Sequence, residues 1–116
     1  MELNQYQKLA LETAVYPKEF KTIYPALGMS GEAGEVADKV KKVIRDDEKV
    51  RDGNGALVLS EERREELAKE VGDVLWYVAT MSYDLGYSLE EIAVMNYDKL
   101  KSRQVRGQLH GSGDNR

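Results

Sequence analysis

Glu32 and Glu35 stand three residues apart in SGEAGEVADKVKK (residues 30–42), and Glu70 and Asp73 stand three apart in EVGDVLWY (residues 70–77). On a helix, residues three apart share a face about one turn apart. One such pair is ordinary on a solvated surface. Two pairs brought together would repel strongly unless a cation neutralised them. That cation would be hard and oxygen-seeking, Mg²⁺ with Mn²⁺ as a substitute, because neither thiolate nor imidazole is at hand. The chain has no cysteine, and its one histidine, His110, lies near the C-terminus, where it reads as an exposed tail residue. A carboxylate-bridged di-iron site needs Glu-x-x-His motifs and is excluded with it.

Whether the four carboxylates meet depends on the elements that carry them. A helical period dominates the chain, and no segment alternates convincingly as a strand. The pattern predicts a first helix over about residues 3–15, ended by Pro17. A second runs from about Pro25 to Ile44. Ser60 caps a third, which continues to Leu85 and stops at Gly86. Ser88 and Glu91 form a capping box for a fourth, reaching about Arg103. Fold class is therefore all-α, a four- to five-helix bundle.

The second helix gathers Ala33, Val36, Val40, Val43 and Ile44 into one stripe, with Glu32, Glu35 and Lys39 on its flank. The third gathers Leu67, Val71, Val74, Leu75, Val78 and Leu85, with Glu70, Asp73 and Tyr77 displaced in the same rotational sense. Helices packed stripe to stripe and antiparallel bring flanks of equal sense to one side, whereas parallel packing separates them. The connection of about fifteen residues makes the antiparallel arrangement the expected one. In the fourth helix, Leu89, Ile92, Ala93 and Leu100 form the stripe, and Asn96 falls inside it, an amide that would need a partner. Lys99 and Arg103 border that stripe and have the charge to hold the outer phosphates of a nucleotide.

Composition excludes several functions. Residues 1–98 hold 12 basic against 20 acidic side chains, a net of −8, which argues against a nucleic-acid polymer as partner. No apolar run approaches the roughly 20 residues a membrane span requires, and no targeting signal opens the chain. The lack of cysteine fits a reducing cytoplasm, a host's if the protein is viral.

EAGE at 32–35, EVGD at 70–73 and NYDKL at 96–100, in that order, resemble the MazG-type all-α nucleoside triphosphate pyrophosphohydrolases. These relatives include dimeric dUTPases, dCTP pyrophosphatases and phosphoribosyl-ATP pyrophosphohydrolases. Each ExxE is weak alone; the ordered set is specific, and the resemblance spans nearly the whole chain. It implies hydrolysis of a (d)NTP between its α and β phosphates to a monophosphate and pyrophosphate. Glu32, Glu35, Glu70 and Asp73 would bind the metal, and Glu32 or Glu35 would also orient or deprotonate the attacking water. Lys39, Tyr77, Asn96, Lys99 and Arg103 would hold phosphates or sugar. Asp38 would be a supporting carboxylate or simply exposed. The helical catalytic domain would occupy residues 1–104, with a Gly- and Arg-containing tail at 105–116 that either closes over triphosphate or stays disordered.

Trp76 and Tyr83 project from the back of the third helix, which suggests a subunit contact, and the resemblance implies a homodimer or homotetramer. Two alternatives accompany this reading: a phosphoribosyl-ATP pyrophosphohydrolase of histidine biosynthesis, and a non-catalytic helical interaction protein.

Overall fold

The computed structural model describes all 116 residues. Four α-helices follow one another: α1 (Leu3–Leu11), α2 (Ile23–Asp46), α3 (Glu61–Asp84) and α4 (Leu89–Val105), with a single 3₁₀ turn at Lys18–Phe20 before α2. The only β-type pairing is an isolated bridge between Arg51 and Leu57 in the α2–α3 connection. No helix is long and apolar enough to cross a membrane.

The predicted starts rest on the expected side chains. Ser60 Oγ accepts from Arg63 N–H at 3.1 Å, and Ser88 Oγ accepts from Glu91 N–H at 3.0 Å. Gly86 follows α3 with φ 87°, a left-handed conformation that glycine adopts without strain. α1 is shorter than its apolar pattern predicts, ending at Leu11 instead of Val15. Its last turn tightens to i→i−3 bonds, and Thr13 turns its hydroxyl onto the Ala10 carbonyl at 2.8 Å. That local bond competes with continued helix, as β-branched hydroxyl residues do.

α2 and α3 form the largest helix pair, and it is antiparallel. Thr22 meets Asp84, Gly28 meets Tyr77, Lys39 meets Glu70 and Asp47 meets Arg63, so the partner's number falls as that of α2 rises. Gly28 is required there, because a Cβ would fall inside the Tyr77 ring. At the other end Asp84 accepts from Thr22 N–H and from the Tyr16 hydroxyl, each at 2.9 Å. These bonds hold Thr22 at φ 68°, an unusual value for a branched residue.

α1 lies across α3 and the start of α4, where Ala10, Ala79 and Leu89 form a small core flanked by Tyr6, Trp76 and Val78. Gln7 clamps this junction: its amide donates to the Ala79 and Tyr87 carbonyls at 3.1 Å, and its oxygen accepts from Leu89 N–H at 3.1 Å.

The apolar stripes are only partly covered. Val43 is buried and Val36 and Val40 are half-buried, but Ile44, Val71, Leu75 and Leu85 are exposed. On α4 only Leu89 and Arg103 are buried, and Asn96, expected inside the stripe, is exposed. The physical reason is that α4 has no helix packed along most of its length, so the wheel's stripe faces no partner within this chain. Trp76 departs from expectation in the opposite direction. Instead of standing on a bare back face, it is half-covered by α1 and donates Nε1–H to Thr13 Oγ1 at 2.8 Å.

Candidate active site

Antiparallel pairing of α2 and α3 brings their acidic flanks to one side. Glu32, Glu70 and Asp73 each present a carboxylate oxygen within 4.8 Å of the others. Glu32 and Glu70 are half-buried and Asp73 is exposed. Glu35, one turn beyond Glu32, is exposed, lies outside this trio, and makes neither an ion pair nor a hydrogen bond. Its charge still reaches the site. The Glu32 carboxyl is raised above its ordinary value first by desolvation, then by repulsion from Asp73, Glu70 and Glu35. Lys39 is the cation beside the trio, its Nζ 3.4 Å from Glu70 Oε1. Asp38 turns away to Lys41 and Lys42, both at 2.7 Å, and these hydrogen-bonded partners lower its pKa to about 2.

The three convergent groups are all hard oxygen donors, with no imidazole or thiolate among them, a set suited to Mg²⁺ or Mn²⁺ rather than zinc. Three carboxylates so close would otherwise disfavour one another's charged forms.

A cleft of about 390 Å³ opens beside them, lined by Thr13, Glu32, Asp73, Trp76 and Tyr77. Trp76 and Tyr77 meet edge to face, centroids 4.9 Å apart at 87°, and Tyr77 continues to Tyr24 and on to Tyr16 in an aromatic row. Burial, then the neighbouring Tyr24, raises the Tyr77 phenol pKa, so it is neutral and available as a donor or a stacking wall at ordinary pH. A larger hollow of about 620 Å³ lies at the far end of α2 and α3, lined by residues such as Asp47, Lys49, Glu62 and Arg63. It contains none of the carboxylate trio and offers charges of both signs.

The residues predicted on α4 are not gathered at this cleft. Asn96 has no hydrogen-bond partner for its side chain, whereas Lys99 and Arg103 bind Asp114 of the chain's own tail, at 3.0 and 3.3 Å. Sequence reasoning missed two members of the cleft, Thr13 and Trp76. The adjacency of Trp76 to Tyr77 was a usable signal, but wheel geometry taken without α1 sent the indole to the back of α3.

The chain is thus an all-α protein whose two antiparallel helices bring three carboxylates beside a cleft with aromatic walls, an arrangement able to hold a divalent cation. A family model described as the MazG nucleotide pyrophosphohydrolase domain matches residues 20–106. The chain belongs to this family. It is also 43% identical over 122 residues to the Gene 37 protein of Mycobacterium phage L5, with all of both chains covered. No solved structure matches it.

Proposed function

We propose that this protein is a Mg²⁺-dependent nucleoside triphosphate pyrophosphohydrolase. It would cleave a (d)NTP between its α and β phosphates, releasing a (d)NMP and pyrophosphate. The observation that carries this reading is the convergence of Glu32, Glu70 and Asp73 beside the Trp76–Tyr77 cleft in a chain of the MazG family.

Glu32, Glu70 and Asp73 would hold the metal, with Glu35 as a further ligand or as the group that orients water. Bound there, the ion would offset their repulsion, polarise phosphate oxygens and lower the pKa of a coordinated water. Glu35, exposed and without a partner, is free to take a proton from an attacking water. Lys39, paired with Glu70, can turn to a phosphate oxygen without leaving the cleft's edge. Tyr77 and Trp76 would cover the nucleoside and exclude water. Asn96, Lys99 and Arg103 would complete the phosphate-binding set from a neighbouring copy.

Since α4 carries those three away from the cleft in one protomer, the active assembly is a homo-oligomer, a dimer or a tetramer. It would work in a reducing cytoplasm, that of a bacterial host, as the similarity to a phage protein suggests.

The decisive measurement is incubation with the eight common NTPs and dNTPs plus Mg²⁺, with separate quantification of monophosphate, diphosphate and inorganic products. Monophosphate and pyrophosphate in equal amounts from at least one nucleotide are expected. Release of orthophosphate and a diphosphate, or no turnover of any nucleotide, would overturn the reading. Including phosphoribosyl-ATP in the panel separates a role in histidine biosynthesis.

A further inference from the structure

Beyond α4 the chain doubles back on its own helix. Gly107, Gly111 and Gly113, with φ of 69°, 123° and 87°, supply the reversals. Arg106 Nη2 donates to the Arg116 carbonyl at 2.7 Å, and Arg116 Nε donates to the Gln108 carbonyl at 3.1 Å. The fold-back delivers Asp114 to α4. Its Oδ1 lies 3.0 Å from Lys99 Nζ and 3.3 Å from Arg103 Nη2, and Arg103 Nη2 also donates to the Asp114 backbone carbonyl at 2.9 Å.

Two features of this contact point to an anion other than Asp114. Arg103 is only 4% exposed, yet its Nε is buried with no hydrogen-bond partner, while Nη2 alone serves the tail. A guanidinium committed to a structural role would spend its fork on paired acceptors. Asp114, by contrast, is at the surface, its side chain 81% exposed, so the bond that covers Lys99 and Arg103 is made by an easily exchanged group. A phosphate offers three acceptor oxygens where the carboxylate offers two, and can satisfy Lys99 and more than one edge of Arg103 together.

We propose that residues 107–116 form a displaceable strap in which Asp114 occupies an anion position between Lys99 and Arg103, and that the phosphates of a nucleoside triphosphate take that position by expelling it. The inference rests on the pyrophosphohydrolase reading and adds a regulatory device to it. The strap masks the cations of α4 until a polyphosphate competes for them, so it raises the substrate concentration needed instead of sealing substrate in. The side chain of Asp114 is 81% exposed and that of Lys99 partly so, and the Lys99–Asp114 pair is therefore weak and screened by salt, which keeps the exchange reversible.

The test uses the full chain and inorganic tripolyphosphate with metal chelated, so that the carboxylate trio takes no part. Binding is read by calorimetry and the strap by amide hydrogen exchange over residues 107–116. Tripolyphosphate should speed exchange in that segment, and Asp114→Asn should bind it about two- to fivefold more tightly than the unaltered chain. Lys99→Gln should lose the exchange response. Unchanged exchange at saturating tripolyphosphate, no binding by any form, or equal affinity for Asp114→Asn and the unaltered chain overturns the proposal. Neither readout requires turnover, so failure of nucleotide hydrolysis would sink the pyrophosphohydrolase reading separately.

Discussion

Asp73 and Glu35 divide the roles expected of carboxylates at this site, because one stands in the trio and the other just outside it. If the trio holds a metal as proposed, Asp73→Asn should lower kcat at least about a hundredfold, since metal stabilisation of the transition state is worth several kcal/mol. It should also abolish the rise in Tm produced by Mg²⁺, which depends on preferential binding to the folded state. Glu35→Gln should slow turnover yet keep most of that Mg²⁺-induced rise. If both variants retain the full thermal shift and near-normal kcat, these carboxylates do not form the site. Tyr16 carries a separate prediction. Burial, then its hydrogen bond to Asp84, lifts its pKa from 10.0 to about 12. The folded value exceeds the unfolded one, so its contribution is complete below about pH 10 and is lost as pH rises toward 12. Tyr16→Phe should therefore show a shallower fall of Tm over that window than the unaltered protein, and parallel curves would refute the linkage.

At the scale of the elements, one buried amide joins three helices. Gln7 is 7% exposed and satisfies the Ala79 and Tyr87 carbonyls and Leu89 N–H, so α1, the end of α3 and the start of α4 depend on one side chain. Gln7→Ala leaves the Tyr87 carbonyl and Leu89 N–H unpaired and should cost about 1–3 kcal/mol. Urea unfolding at constant m-value measures it, and a change under about 0.5 kcal/mol would mean that water replaces the amide without penalty. Activity should fall with it, because α1 also carries the turn at Thr13 that receives Trp76 at the edge of the cleft.

The whole molecule is open for its length. Its radius of gyration is 17.5 Å, where a compact domain of 100 residues has about 13 Å. Only nine residues are buried, a core far smaller than a chain of this length can build by itself. The uncovered apolar surface includes Val94, Met95, Tyr97 and Leu100 along α4. Association of copies through α4 would cover it. Light scattering should return at least twice the 13.1 kDa protomer mass, Tm should rise with protein concentration, and Tyr97→Glu should weaken both effects. A monomer whose Tm ignores concentration would remove the argument. The proposed contact lies on α4 and not at Trp76, since the indole is engaged by α1.

Local chemistry in the sequence determined the helices, because caps such as Ser60 and Ser88 and stops such as Gly86 act within a few residues of themselves. It also determined the pairing of acidic flanks, since two i,i+3 carboxylate pairs of equal rotational sense come to one side when α2 and α3 pack stripe to stripe and antiparallel. Only the tertiary structure decided which carboxylates approach closely. Glu35 lies outside the close trio because closeness depends on the axial offset between the helices, which no wheel contains. The fates of Trp76 and Asn96 were equally non-local: α1 covers the first, while α4 leaves the second bare. The place of Asp114 on Lys99 and Arg103 depends on three glycine reversals acting in series, and spacing alone does not encode where such a path returns.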